Sequence, residues 1–464
     1  MPENPVIIIG GGVSGLATAY FLGKHGIRST IIEKSNRLGG LIKTDSIEGC
    51  RLEAGPDSFI ATKPAVAKLA DEIPGLSQQI IGSNDAARRV FIVRHGELVA
   101  LPRGMSMMVP GDWRATMSSR LFSLRTKTRF FTELLTQPKT RTGDVSIEEF
   151  VQDHFGSEVL RYVADPLLAG VYGGLTANLS TRSVLPRFLE QEENYGSLIR
   201  ALRHDRKKSL HTGSLFLSFG AGMQTLTDAL VSKLNSVIDV VHDEAKSVQR
   251  IGAQWRVRVG GSHLDAENVV FACPAYAAAA LLENFAPPLA SELAEIPYSS
   301  AILVTFIYER SRLERPLDGF GFLVPQIERQ HVAAATWVST KFPSRTPAHL
   351  AAIRAFIVGD DALRLMNASD PELIAIVRNE FGRVMGVTAP LAMHTIYRWP
   401  RSMPQYIVGH EERRSRIAAG ANRYPGLFLT GNAYDGVGIP DCIRRAQATA
   451  ESVVQRSSAK LATS

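Results

Sequence analysis

The sequence predicts an α/β fold in which one unit is assembled from three separated stretches of chain. Three observations predict it. Val6, Ile7, Ile8 and Ile9 form an apolar run that leads at once into Gly10-Gly11-Gly12-Val13-Ser14-Gly15. Gly220-Ala221-Gly222 opens a helix that runs towards Leu234, and strand-like runs follow at 237–241, 255–259 and 268–272. Leu427-Phe428-Leu429-Thr430 is a last apolar run, followed by Gly431, a glycine-rich turn and a helix over 441–453.

The first stretch is the most explicit. Residues 16–24 read as a helix and 27–32 as a second strand that ends in Glu33. Gly10 permits a tight turn, Gly12 lets backbone approach a pyrophosphate, and Gly15 lets the helix pack close to the sheet. The helix N-terminus offers free N–H groups and positive dipole to phosphates. Glu33 stands where a carboxylate accepts from a ribose 2′-OH and repels a 2′-phosphate. A lone glycine turn is as often structural. With both strands and the acid in register, it argues for a bound dinucleotide. Two further glycine segments follow, Arg37-Leu38-Gly39-Gly40 and Glu53-Ala54-Gly55-Pro56, able to bring backbone and a positive charge to the ligand.

Residues 1–75, 219–284 and 416–464 are assigned to the nucleotide-binding domain. Residues 285–415 carry strand-like runs, such as 301–308, 334–338 and 352–358, and read as an antiparallel sheet that would floor or wall a substrate cavity; residues 76–97 are assigned to the same domain. The whole insertion from about 76 to 218 reads as mostly helical with basic loops, and 98–218 are assigned to a helical domain.

Composition bounds the partners. A chain of 464 residues, 45% hydrophobic, can bury a large core in two or three domains. Its formal charge of +7 admits nucleic acid, an anionic membrane or an acidic ligand. The basic residues are dispersed with no nucleic-acid module, which argues against the first. Cys50, Cys273 and Cys442 make neither a disulfide framework nor a metal cluster, so a reducing compartment and no metal are expected. Cys273 and Cys442 sit in apolar settings and read as packing residues. The absence of HExxH disfavours zinc hydrolysis. No apolar run reaches the roughly 20 residues of a spanning helix. The first strand begins too early for a secretory signal. A cytoplasmic chain, soluble or peripheral on the inner face of the cell membrane, is expected.

Arg37, Gly39 and Gly40, with the first glycine turn, resemble the N-terminal signature of the flavin amine oxidase superfamily. Later motifs narrow the resemblance. EAGPDSF at 53–59, ADPLLAGVYGG at 164–174, GAGMQTL at 220–226 and GNAYDGVGIPDCI at 431–443 resemble the bacterial protoporphyrinogen and coproporphyrinogen oxidases of haem synthesis, over essentially the whole chain. The resemblance implies a discontinuous Rossmann-like FAD-binding domain, a mixed-sheet substrate domain and a helical membrane-binding domain. FAD would be held non-covalently by Gly10, Gly12, Val13, Ser14, Gly15, Glu33 and Lys34 from the first turn and strand. Arg37, Gly39, Gly40, Gly55, Pro56, Asp57 and Ser58 would follow. Val241 would meet the adenine side, and Gly431, Asn432, Gly438 and Ile439 the flavin side. No catalytic side chain is implied: flavin N5 accepts the hydride, a pyrrole N–H proton is lost, and molecular oxygen becomes hydrogen peroxide over successive two-electron steps.

The resemblance places Gly170 and Val171 in close backbone contact with substrate; Tyr172 either joins them or is a packed aromatic. Ile302, Val304, Phe320 and Phe322 are cavity wall or core. Propionates need a basic group. The arginine that some plant and animal members carry near the Gly-Pro segment is missing here. Lys63, Arg89 and Arg103 are the replacement candidates, against a reading as ordinary exposed charges. The stretch 98–135 interleaves Trp113, Leu121, Phe122, Leu124, Phe130 and Phe131 with Arg114, Arg120, Arg125, Lys127 and Arg129. That pattern suits an anionic membrane surface, or a helical domain packed internally. The expected reaction is oxidation of protoporphyrinogen IX to protoporphyrin IX, with coproporphyrinogen III to coproporphyrin III as the alternative. A non-catalytic flavin-binding regulator of haem synthesis is the alternative of another class, and the intact glycine motifs argue against it. Expected partners are the porphyrinogen, oxygen, an anionic membrane, the next haem-pathway enzyme in transient contact and a second copy of the chain.

Overall fold

The structure is a computed structural model that describes residues 6–208, 213–235 and 237–463. Its centre is a parallel sheet of β1 (Val6–Ile9), β2 (Ser29–Ile32), β3 (Ile238–Val241), β4 (Asn268–Phe271) and β5 (Leu427–Leu429), in the order β3-β2-β1-β4-β5. Alternation along β1 divides the two cores. Val6 and Ile8 pack with Leu16 and Phe21 of α1 (Val13–Lys24) and with Ile443 and Val453 of α2 (Ile439–Thr463). Ile7 and Ile9 pack on the opposite face with Trp255, Val257, Leu282 and Leu289. Burying each such side chain contributes about 1.5–3 kcal/mol. Both faces are therefore covered, which is why β1 is apolar throughout.

A seven-stranded sheet lies beside this unit, in the order Met393–Pro404, Tyr298–Glu309, Leu350–Val358, Ala334–Trp337, Gly321–Leu323, Val90–Arg94, Glu97–Ala100. The early hairpin joins it through parallel pairing of Val90 with Gly321. Register decides which face each residue serves. Ile302, Val304 and Phe322 point towards Leu373, Val377 and Phe381 of the covering helix Asp370–Met385. They are core residues and do not wall a cavity. Phe320 is buried as well. The opposite face carries Arg354, whose guanidinium reaches the parallel-sheet unit at the backbone carbonyls of Glu53 and Gly55.

The third region is helical. Ser146 and Glu149 form a capping box that starts the helix Ile147–Phe155, a gain of about 1 kcal/mol over an uncapped start. A π-turn, Leu160–Ala164, precedes the helix Asp165–Tyr172. The core of this region includes Ile92 from the sheet and Tyr406 from the loop just after its edge strand, so the helices are not a detached body. Leu121, Phe122 and Phe130 are inside it, whereas Leu124, Phe131 and Leu135 are 81%, 50% and 74% exposed. Among the described residues no helix is long and apolar enough to cross a membrane.

Candidate functional site

The glycine turns form a cradle at the carboxyl end of β1. Gly10 has φ +111°, and a Cβ there would stand 2.8 Å from the Ala272 carbonyl oxygen. A Cβ on Gly15 would fall 2.0 Å from the Gly10 carbonyl oxygen, so this glycine seats α1 against its own turn. Gly12 differs: its nearest neighbour would be the Gly40 Cα at 3.9 Å. It bridges to Gly39, stacking the second glycine turn on the first. The N-terminus of α1 has no side-chain cap and no acid in its first turn, which leaves N–H groups for an external anion. In the first turn of α2, the Cys442 thiol meets the Ser14 hydroxyl, so two helix N-termini converge. Burial pushes that thiol up to about 11, despite Ser14, and the Cys273 thiol up to about 12. Both are packing groups and not nucleophiles.

Glu33 ends β2 beside Val241, whose carbonyl accepts its N–H. Its carboxylate accepts from the Gly11 N–H at 2.7 Å and from the Ser35 N–H and hydroxyl at 2.9 and 2.8 Å. Lys34 next to it is exposed. Arg37 is turned inward, donating to the carbonyls of Leu38, Ile42 and Gly40, and so braces the second glycine turn from within. At the flavin end expected from the resemblance, a Cβ on Gly431 would meet nothing within 4 Å, and the buried Thr430 hydroxyl next to it has no partner. The Asn432 carbonyl accepts from the Tyr406 hydroxyl at 2.6 Å. An uncapped helix end, an open glycine cradle and an orphaned hydroxyl along one crevice fit a bound dinucleotide.

The loop after Glu53 is held by a buried charge network that sequence reasoning did not assemble. Asp57 lies 3.1 Å from the Lys341 ammonium and 3.1 Å from the Arg354 guanidinium. Ser58 donates to Asp57 and accepts from Lys341. Arg345, wholly buried, is 3.0 Å from Glu53. Burial alone would raise the Asp57 carboxyl, but Lys341 and Arg354 hold it well below the usual range. Burial raises the Glu53 carboxyl and lowers the Lys341 ammonium, each against the pull of its partners. A Cβ on Gly55 would stand 2.1 Å from the Leu41 carbonyl oxygen, so this glycine is dictated by packing. Pro56 completes the loop. The one sequence signal was Arg354 itself, a lone charge in the apolar strand LAAIRAFIV, which demands a buried partner.

The predicted substrate residues separate. Gly170 and Val171 are exposed at the end of their helix, and a Cβ on Gly170 would meet nothing within 4 Å. Tyr172 is a buried core aromatic, its hydroxyl within reach of the Asp441 charge. Asp441, in the first turn of α2, takes Lys63 at 2.6 Å, so Lys63 is not a free surface charge. The Asp441 carboxylate lies against Gly436 and Gly438, where any Cβ would crowd it. Arg89 pairs with Asp318 at 2.9 Å on the sheet side, and Arg103 is exposed. Ile439 and Val13 are the first residues of the two converging helices.

The family model for flavin containing amine oxidoreductase matches residues 13–454. A coproporphyrinogen III oxidase of Bacillus subtilis (strain 168) is 30% identical over 462 residues, covering 96% of this chain and 97% of the relative. Protoporphyrinogen oxidase 2, chloroplastic/mitochondrial, of Arabidopsis thaliana is 27% identical, covering 97% and 93%. A crystal structure from Exiguobacterium sp. 255-15, provisionally named a protoporphyrinogen oxidase, superposes with a TM-score of 0.87 at 27% identity, covering 98% and 99%. The chain belongs to the flavin amine oxidase superfamily and, within it, to the bacterial porphyrinogen oxidases.

Proposed function

We propose that the protein is an FAD-dependent, oxygen-using oxidase of haem synthesis that converts coproporphyrinogen III to coproporphyrin III. The observation that carries this reading is full-length likeness to a coproporphyrinogen III oxidase, at higher identity than to a protoporphyrinogen oxidase. It reverses the order of substrates expected from sequence. Protoporphyrinogen IX stays as the second reading because the crystal structure with the 0.87 TM-score carries that name.

Bound FAD would supply the two-electron acceptor. The chain supplies position and electrostatics. Gly12, Val13, Ser14 and Gly40 would receive the pyrophosphate, and Glu33 the ribose hydroxyls. Gly438 and Ile439 would direct the N-terminus of α2 at a flavin edge that gains negative charge on reduction. Lys341, Arg345 and Arg354 fix the 55–58 loop, so this wall does not move as charge develops. Gly170 and Val171 offer an open face for a flat macrocycle. Lys63 and Arg89 are each half exposed and held by one carboxylate, so a substrate propionate can take over either pairing. The test is kcat/KM for both porphyrinogens, followed by porphyrin fluorescence and peroxide release. A preference for coproporphyrinogen III supports the proposal, and the reverse preference replaces it with the second reading.

Peripheral membrane attachment belongs to the same proposal. Leu124, Phe131 and Leu135 are exposed along the helix Leu124–Glu133 and just past it, next to Arg125 and Lys127. An apolar edge with a basic rim suits an anionic bilayer. Flotation with anionic vesicles at low salt tests it, and protein left at the bottom of the gradient would end that part of the reading.

A further inference from the structure

The strand Met393–Pro404 breaks its register at one place. It pairs Met403 with Ser299 and Trp399 with Ala301, which leaves Pro400, Arg401 and Ser402 opposite Ser300 alone. Arg401 sits at the apex of this bulge with φ +45°, a backbone state that non-glycine residues rarely adopt. Two hydrogen bonds hold the distortion: the Arg401 N–H donates to the Ser300 hydroxyl at 3.1 Å, and the Ser402 hydroxyl donates to the Trp399 carbonyl at 3.1 Å. Bulges re-aim side chains, and this one sends the Arg401 guanidinium out of its own sheet to lie 3.8 Å over the Tyr276 ring of the nucleotide-binding unit. Tyr276 is fixed in turn by edge contact with Tyr298, whose hydroxyl accepts the Ala275 N–H at 2.9 Å. Among the described residues the guanidinium is stacked but joined to no carboxylate, and the residue is exposed.

The place of this stack gives it a use. Tyr276 lies in the first turn of the helix that follows β4, three residues beyond Cys273. The Cys273 backbone nitrogen borders the Gly10 turn, and the charges of Lys34 and Glu33 reach its thiol. The stack is thus anchored on the helix that leaves the carboxyl end of β4, the side of the β1–β4 crevice where the sheet order changes direction and where open α/β sheets bind their ligands. A strained backbone, a bulge and an unpaired cation meet on the helix that borders the anion cradle.

The geometry points to Arg401 as a clamp on the cofactor pyrophosphate, a cation delivered by the substrate sheet to a site otherwise built from glycine turns and helix ends. A guanidinium suits the role because its planar fork can hold a phosphate while its face stays on the aromatic ring. The stack orients the charge and the bulge sets its reach. The inference rests on FAD being the ligand of the cradle.

The test is the rate at which diluted holoenzyme releases FAD, read from the rise of free flavin fluorescence, for the parent, Arg401→Gly and Arg401→Lys. Glycine accepts φ +45° without strain, so Arg401→Gly keeps the fold while removing the charge. Loss of one charge-assisted contact should speed release by about ten- to a hundredfold, with lysine in between and the parent alone showing a strong rise in release with salt. Release within twofold of the parent in both variants would overturn the clamp. A raised porphyrinogen KM with unchanged FAD release would also overturn it, reassigning Arg401 to substrate. A parent that binds no FAD would instead refute the underlying cofactor reading.

Discussion

Replacing Arg345 by methionine should cost about 3–5 kcal/mol, the usual penalty for removing one partner of a buried ion pair. Arg345 has no exposed surface. Its guanidinium lies 3.0 Å from a Glu53 carboxylate oxygen and donates to the Asp57 and Phe219 carbonyls at 3.2 Å each, and to the Ser218 hydroxyl. Methionine fills most of the space but leaves the Glu53 carboxylate with only the Met223 N–H and the Thr44 hydroxyl, both at 2.8 Å, and the weaker pull of Arg354 in place of a paired cation. The Glu53 carboxyl is already raised by burial with Arg345 present, and it rises further without it. The folded variant then binds a proton that the unfolded chain has lost, so the penalty grows as pH rises through that window. A second variant isolates the cause. In Glu53→Gln/Arg345→Met the amide can still accept from Met223 and donate to Thr44, with no charge left to strand. If the penalty is an unpaired charge, the double variant recovers at least about 2 kcal/mol of the single one. Equilibrium urea unfolding, followed by tryptophan and flavin fluorescence and read at the transition that releases the flavin, measures both. A single variant within about 1 kcal/mol of the parent, or a double variant as weak as the single, would refute the reasoning.

Other outcomes follow from the same structure. His154 lies 3.1 Å from Glu133 and 3.2 Å from Glu192; burial lowers its pKa, but both carboxylates outweigh this and hold it above its ordinary 6.5. Its contribution is therefore complete below about pH 6.5 and is lost as pH rises through the higher folded value. Glu192, held down to about 2 by His154 and Arg141 against burial, loses its share as pH falls below 4.5. Amide protection in 124–133 and 147–155, taken relative to the intrinsic exchange rate at each pH, should be greatest between these limits, and protection that does not change with pH would count against the network. Gly12→Ala should fold as the parent does yet bind FAD weakly, because its Cβ would enter open space, whereas Gly15→Ala should lose stability because its Cβ would stand 2.0 Å from a carbonyl oxygen. Equal melting temperatures for these two variants would show that the turn is misread. Leu124→Glu with Phe131→Glu should abolish vesicle flotation without lowering turnover in detergent, and flotation equal to the parent's would place the membrane edge elsewhere.

The parallel-sheet unit was legible because its signals are local. The β1 run, the first glycine turn and Glu33 lie within 28 residues, and the steric demand on Gly15 follows from the turn itself. The facing of the second sheet was not, since apolar residues occupy both sides of Tyr298–Glu309 and only pairing register assigns Ile302 and Val304 to the helix side. The network around Asp57 joins residues 284 positions apart along the chain, beyond any local pattern, although Arg354 in an apolar strand was a visible anomaly. Arg37 was read as a cofactor contact by resemblance, but its donors serve the carbonyls of its own loop. Lys63 was weighed between propionate contact and free surface charge, and it has a third state, paired with Asp441 from the far end of the chain. Pro400 inside a strand hinted at the bulge, but only the register shows that Arg401 crosses to Tyr276.

The central claim, that the crevice carries a flavin which oxidises a porphyrinogen, is tested most directly by mixing holoenzyme with coproporphyrinogen III and, separately, with protoporphyrinogen IX under anaerobic conditions. Rapid bleaching of the flavin's visible absorbance, faster with coproporphyrinogen III and reversed by air with the appearance of porphyrin fluorescence, is the predicted result. A flavin that neither porphyrinogen bleaches would contradict the account.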